Sequence, residues 1–230
     1  MIYIITPTDD RPEAFSFLER WLGAQDWPGA FRWVVGTRDS TPYTFALNQI
    51  VVDRPDAKGL HPLASNLLAC LDVLDMRPND LAIICEDDDY YDPNFISRIA
   101  ELSGDVALCG QTHSRYYNVA TRRYRENGNS IHASLCQTAF RSPVLSLLRE
   151  VCLRGLPTID KALWREWSGS RRLARSEGHI GIKGMPGAKG IGTGHRLNFG
   201  KPDSDGSVFR EWGIPGDYER FAWSRAKAEG

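Results

Sequence analysis

The sequence lacks several features, and each absence excludes a class of protein. No apolar stretch approaches the roughly 20 residues of a membrane-spanning helix. The opening "MIYIITP" has no basic flank and reads as a buried strand, so no cleaved targeting segment is expected. Cysteine is scarce: Cys70, Cys85, Cys109, Cys136 and Cys152 are odd in number, form no close pair and mostly sit in apolar runs. That pattern argues against a disulfide framework and against a zinc site, and predicts buried thiols in a reducing, cytoplasmic setting. "GMPGAKG" lacks the Gly-Lys-Ser/Thr ending of a Walker A loop. His61, His113, His132 and His179 show no metal-ligand spacing, and no internal repeat is visible. What remains is a chain of 230 residues, 42% hydrophobic, long enough to bury a sizeable core and read here as one domain.

Net charge is also nearly absent, at −1, but the balance conceals a division. Residues 1–110 carry 8 Lys/Arg against 18 Asp/Glu, and residues 111–175 carry 12 against 4. The basic middle is expected to face something anionic, a solvated basic face being the plainer alternative. The first third alternates strand and helix. "IYIIT" (2–6) and "FRWVVG" (31–36) are apolar runs, and "DLAIIC" (80–85) is a third. Between them, Pro12 opens a helix with Phe15, Leu18 and Leu22 on one stripe, and Pro62 opens another with Leu63, Leu67, Leu71 and Leu74. Strands and helices of these lengths predict an α/β domain with a largely parallel sheet covered by helices. Beyond residue 105, "DVALCG" reads as another strand. Residues 115–140 read as antiparallel strands turning at Asn127-Gly128. Ser142 and Thr158 are expected to cap two helices. Residues 178–206 are expected to form a glycine-rich loop that orders over a ligand, and a short helix is expected over 217–228.

The chemistry concentrates in "IICEDDDYYDP" (83–93), where four carboxylates follow an apolar run. Unit charges about 4 Å apart repel by about 4 kcal/mol at a protein surface, so either water screens Glu86, Asp87, Asp88 and Asp89 or a cation offsets them. In open α/β sheets ligands bind beyond the carboxyl ends of the strands, and "TPTDD", "TRDS" and "EDDDYY" each follow a predicted strand. The three turns should line one crevice. A calcium loop of the EF-hand type is excluded, because Asp92 stands where its glycine is needed and Arg98 where its last carboxylate is needed. Mg²⁺ or Mn²⁺ suits the run better, held by one or two carboxylates and shared with a diphosphate.

With the turn "TPTDDRP", the "ASN" at Ala64–Asn66 and the run "EDDDYYDP", the first 95 residues resemble the nucleotide-binding half of family 2 inverting glycosyltransferases. In that family the turn reads "PTYNRP", the helix start "ARN" and the acidic run "DxDDxxxP"; here the central "DxD" becomes Glu86-x-Asp88. The resemblance implies the A-type glycosyltransferase fold: a three-layer α/β/α sandwich with a mostly parallel Rossmann-like sheet and an antiparallel extension on the acceptor side. Residues 1–105 would form the nucleotide-sugar half and residues 106–230 the acceptor half. It further implies transfer of a hexosyl or pentosyl group from a UDP-sugar or related donor to an acceptor hydroxyl, with inversion, using Mn²⁺ or Mg²⁺.

The resemblance also implies residue roles. Asp39 would bind the base or ribose, with Thr6 and Pro7 as the wall beneath the base; an aspartate stabilising the "RDSTP" turn is the alternative. Asp88 would be the main metal ligand, assisted by Glu86 or Asp87. His195 is the candidate third ligand, and Lys183 and Lys189 the candidate cations for the departing diphosphate. Asp160, in the first turn after Thr158 in "PTIDKALWREW", is the candidate general base, although an acid there also suits the helix dipole.

The acceptor is less legible. "RYYNVATRRYR" (115–125) interleaves arginines with tyrosines, which suits a polyanion such as modified DNA, a phosphorylated glycan or a lipid-linked sugar. An arginine-rich hairpin face kept for solubility is the alternative. Two other functions compete. A sugar-phosphate nucleotidyltransferase would use a similar sheet and metal but needs a glycine-rich turn after its first strand; a non-catalytic nucleic-acid or glycan-binding module would use the basic middle alone.

Overall fold

The computed structural model of the chain describes residues 1–9, 11–37, 49–53, 60–187 and 199–221. Its centre is a seven-stranded sheet in the order β10-β6-β9-β4-β1-β2-β3. The strands are β1 (Ile2–Pro7), β2 (Phe31–Thr37), β3 (Gln49–Asp53), β4 (Leu81–Ile84), β6 (Leu108–Gln111), β9 (Thr138–Phe140) and β10 (Arg171–Ala174). β1 pairs in parallel with β2 and β4, β2 with β3, and β6 with β10. Only β9 runs against its neighbours, β4 and β6. Every residue of β1 is buried, as expected of a strand covered on both faces.

The two-residue period of the strands sorts the core into two layers. Tyr3, Ile5, Ala82, Ile84, Leu108 and Phe140 point to one face, against α2 (Pro62–Asp72), α4 (Leu145–Leu153) and α5 (Ile159–Glu166). Ile4, Trp33, Val35, Ile83 and Cys109 point to the other, against Phe15, Leu18 and Leu22 of α1 (Pro12–Gly23) and Phe95, Ile96 and Ile99 of α3 (Phe95–Ser103). The result is the expected three-layer arrangement. α1 and α2 begin at the prolines that the sequence marked, with Pro12 and Pro62 at the first helical positions.

A second sheet, in the order β12-β8-β7-β11-β5, forms the predicted extension. It comprises β5 (Tyr90–Tyr91), β7 (His113–Asn118), β8 (Arg123–Gly128), β11 (His179–Lys183) and β12 (Lys201–Pro202). Its pairings are antiparallel except β7 with β11. A third apolar cluster joins this sheet to the chain's last described segment. Tyr117, Ile180 and Ile182 pack with Phe17 of α1 and with Phe209, Tyr218 and Phe221, the first from α6 (Ser207–Glu211).

Several local expectations are corrected. Asn127 and Gly128 lie inside β8, opposite Ser114 and His113, and the hairpin turns instead between Asn118 and Arg123. There the Asn118 side chain accepts from the Thr121 N–H and Arg122 takes a left-handed backbone (φ 49°). Neither Arg141 before the turn at Ser142 nor Thr158 caps its helix through its side chain, and Ser142 opens a short 3₁₀ turn that leads into α4. The glycine-rich stretch is not all loop, since His179–Lys183 is a fully buried strand. Gly216–Glu219 is a 3₁₀ turn, and residues 222–228 of the expected last helix lie outside the described residues. Among the described residues no helix is long and apolar enough to cross a membrane.

Gly36 lets α2 lie close on β2: a Cβ there would press on the Asn66 carbonyl and stand 2.8 Å from Cys70 Sγ. Gly23 has nothing within 4 Å of such a position. Gly36→Ala should therefore lower the unfolding free energy by about 1–3 kcal/mol in urea titrations. Gly23→Ala should stay within about 0.5 kcal/mol of the parent.

Candidate active site at the carboxyl ends of the parallel strands

The acidic run leaves the sheet at the carboxyl end of β4, where the Cys85 N–H donates to Ile5 O of β1. It does not splay into water. Asp87, Asp88 and Asp89 are buried, and Glu86 is partly so. Screening by solvent is thus the wrong explanation, and the compensating charge comes from the chain itself. Arg11, the residue immediately before α1, bridges Asp87 (2.6 Å) and Asp88 (2.7 Å). Lys183 Nζ lies 3.0 Å from Asp89 Oδ1 and 3.4 Å from both carboxylate oxygens of Asp88. His179 Nε2 lies 2.7 Å from Asp89 Oδ2. No hydrogen bond or ion pair engages the Glu86 carboxylate among the described residues.

Local structure explains why these groups meet. β5 follows the acidic run and pairs with the start of β11, fixing Tyr91 opposite His179. Alternation along β11 then places His179, Gly181 and Lys183 on one face. A Cβ at Gly181 would come within 3.5 Å of Asp89 Oδ1 and press on the Tyr116 ring, so this glycine lets the strand lie over the acids. The turn after β1 is held equally firmly. Thr8 Oγ1 donates to Asp87 at 2.5 Å, Asn66 Nδ2 donates to Thr8 O at 2.5 Å, and the Glu86 N–H donates to Tyr91 Oη at 2.8 Å. Asn66 is the last residue of the "ASN" triplet, and its side chain ties α2 to this turn.

The electrostatics follow from burial and neighbours. Burial, reinforced by Asp89, pushes Glu86 up to about 8. Burial also raises Asp87, to about 7, although Arg11 opposes it. For Asp89 burial is outweighed by Lys183 and His179, which hold it well below the usual carboxylate range. Burial disfavours charge on Lys183 too, but Asp88 and Asp89 more than reverse this and raise its pKa. One oxygen each from Glu86, Asp88 and Asp89 lies within 4.8 Å of the others. Three hard donors this close fit a divalent cation such as Mg²⁺ or Mn²⁺.

The other expected site residues fall into four groups. Lys183 joins Glu86, Asp87 and Asp88, from a rigid strand and not from a loop. Thr6 and Pro7 end β1 fully buried, and Thr6 Oγ1 is occupied by the Trp33 indole N–H at 3.0 Å. Asp160 sits half-buried in the first turn of α5, with His132 Nε2 3.9 Å away. The segment 132–138 connects this helix to the acids. Ser134 Oγ is 3.1 Å from Tyr116 Oη, Cys136 Sγ lies with Asp89 and His179, and Thr138 Oγ1 accepts from the Trp164 indole of α5. Asp39, Lys189 and His195 lie outside the described residues.

The basic middle is mostly committed to the fold. Arg141 donates to the carbonyls of Asn79, Val106 and Gly104, Arg149 to Leu71, Arg171 to Trp164 and Arg172 to Leu102. Arg123 holds the carbonyls of Phe199 and Gly200, while Arg115 pairs with Glu126 and Glu177. Arg175 instead lines a cleft of about 450 Å³ with Thr112, His113, Glu126, Asn129 and Ser130.

Because Glu86 and Asp87 are raised in the folded state, they bind protons more tightly there than in the unfolded chain, where the ordinary values are 4.5 and 3.8. Their stabilising contribution is complete below those values and is lost as pH rises through about 7 to 8. In chelator-treated protein the Tm should fall between pH 6 and pH 8.5, and Glu86→Gln should flatten that fall. A wild-type Tm rising across the interval would contradict the assignment.

Comparison with known proteins adds the fold. No protein-family model matches the sequence, and no curated protein matches it. Among solved structures, S. aureus TarS matches with TM-score 0.57 and 14% identity, over 79% of this chain and 36% of that one. Residues 1–349 of S. aureus TarS in complex with UDP match with TM-score 0.55 and 15% identity, over 79% of this chain and 60% of that one. The same fragment with UDP-GlcNAc matches with TM-score 0.54 and 14% identity, over 80% and 59%. This chain thus spans about one third to three fifths of the lengths of the chains it matches. The shared architecture, with its mostly parallel central sheet between helices, is the A-type glycosyltransferase fold.

Proposed function

We propose that the protein transfers a sugar from a UDP-sugar to an acceptor hydroxyl with inversion. The observation that carries this reading is the buried, cation-clamped cluster of carboxylates at the carboxyl ends of β1 and β4, where an A-type fold binds its donor. The UDP and UDP-GlcNAc complexes of S. aureus TarS support UDP as the nucleotide, and the group transferred is proposed to be hexosyl or pentosyl. Asp88 and Glu86 would hold Mn²⁺ or Mg²⁺, with Asp89 the third donor of the cluster. When bound, the ion supplies positive charge to the donor's diphosphate. Asp39, with Thr6 and Pro7 forming the floor, is proposed to face the nucleoside, and Asp87 its ribose. Because Thr6 is wholly buried and its Oγ1 already serves Trp33, Thr6 would support that floor from beneath.

Transfer is a single displacement: the acceptor oxygen bonds to the anomeric carbon as the bond to the diphosphate breaks, and the hydroxyl proton passes to a base. We assign that base to Asp160, at the start of α5 and beside His132. Lys183, with Lys189 and His195 from the segment that follows β11, would neutralise the departing diphosphate. The acceptor would lie on the side of β7 and β8. A polyanion such as nucleic acid would have to use Arg122, Arg175 and Lys161, because most of the other arginines of the basic middle serve carbonyls or acids. The five free, buried thiols support the cytoplasmic placement.

A panel of nucleotide sugars with Mn²⁺ tests the reading, with release of the nucleoside diphosphate as the signal. Release of pyrophosphate from a nucleoside triphosphate and a sugar phosphate would favour a nucleotidyltransferase instead. Asp88→Asn should abolish Mn²⁺-dependent UDP binding while unfolding remains cooperative. Asp160→Asn should leave donor affinity unchanged and slow metal-dependent sugar release by about 10²–10⁴-fold. Lost affinity with full turnover would remove Asp160 from its role.

A further inference from the structure

We propose that Lys183 is a built-in counter-cation that competes with a divalent ion for Asp88 and Asp89, so that metal and nucleoside diphosphate bind tightly only together. This inference rests on the glycosyl-transfer reading and deepens it. Its basis is an overlap of partners. Asp88 and Asp89 are two of the three carboxylates whose oxygens lie close enough to share an ion, and they are the two that Lys183 contacts, at 3.4 and 3.0 Å. Arg11 shares an Asp88 oxygen with Lys183, and His179 takes the Asp89 oxygen that Lys183 leaves, at 2.7 Å each. Two permanent cations, Arg11 and Lys183, therefore already sit against these acids, and a divalent ion entering alone would meet an ammonium at close range with little water to screen it. The Lys183 side chain is only 8% exposed.

Geometry also fixes what Lys183 can do. Its backbone is paired with Asn118 in the small sheet, and the residues of β11 are buried, so only the side chain can move. An ammonium is a compact charge with three donors on a rotatable stem, whereas the Arg11 guanidinium is locked across two carboxylates. A diphosphate offers oxygen acceptors that can take over the hydrogen bonds Lys183 gives to Asp88. Lys183 would then face the leaving group and free one carboxylate. The device makes the donor site selective for the pair of ligands over either one alone.

Titration of Mn²⁺ followed by electron paramagnetic resonance tests this, with wild-type protein and Lys183→Met, each with and without UDP and corrected for Mn²⁺ chelated by free UDP. Wild type should bind Mn²⁺ weakly alone and about tenfold or more tightly with UDP. Lys183→Met should bind Mn²⁺ tightly without UDP, gain little from adding it, and show a larger Mn²⁺-induced rise in Tm than wild type. Should Lys183→Met bind Mn²⁺ no better than wild type while UDP still tightens wild-type binding, the Lys183 inference fails and the metal reading stands. Absence of Mn²⁺ binding in both proteins under all conditions overturns both. If the variant does not fold, wild type still decides: equal Mn²⁺ affinity with and without UDP overturns the inference.

Discussion

Everything in the candidate site depends on how the chain tolerates four consecutive acids inside a protein. Removing one partner from a buried ion pair costs about 3–5 kcal/mol, because the remaining charge loses both water and its counter-ion. Here the two partners come from distant parts of the chain: Arg11 from the turn after the first strand, and Lys183 from a strand of the second sheet. The acidic run therefore fastens the first half of the chain to the second. Tyr91, Thr8 and Asn66 complete the arrangement by engaging backbone and carboxylate groups around the run.

Much of the first 95 residues was legible because its signals are local. Pro12 and Pro62 mark helix starts, and the apolar runs before "TPTDD" and "EDDDYY" mark strands whose ends must face one crevice. The second half was harder. "HIGIK" alternates polar and apolar residues as a strand does, yet glycine on either side disguised it, and with it the fixed positions of His179 and Lys183. Arg11 was visible as part of a turn, but no local rule links it to acids more than seventy residues away. The Asn127-Gly128 pair misled in the opposite direction. A favoured hairpin dipeptide was overruled by pairing with His113 and Ser114, and the turn fell to a weaker sequence at Asn118.

The basic middle shows why charge counts need a structure. Arginines that read as a surface for an anion mostly serve carbonyls near the ends of helices and strands, where orphaned acceptors need partners, or pair with acids. Arg141 alone joins three such carbonyls from the loops before β4 and β6. The division of charge along the sequence therefore reflects two structural tasks. Four of the acids gather at one crevice, and several guanidiniums hold carbonyls of the acidic half at Leu71, Asn79, Leu102, Gly104 and Val106.

The placement of β9 carries a further consequence. Among the described residues this three-residue strand is the sole link between β4 and β6 in the central sheet, and it is made only after β7 and β8 have been laid down. A nascent chain emerging from the ribosome would thus carry a complete β3-β2-β1-β4 unit with β4 as a bare, wholly apolar edge until Thr138–Phe140 arrives. Such an edge invites pairing with other chains, and long-range strand pairing is slow. The interval between synthesis of β4 and capture by β9 is where this protein is most exposed to aggregation and to assistance by chaperones.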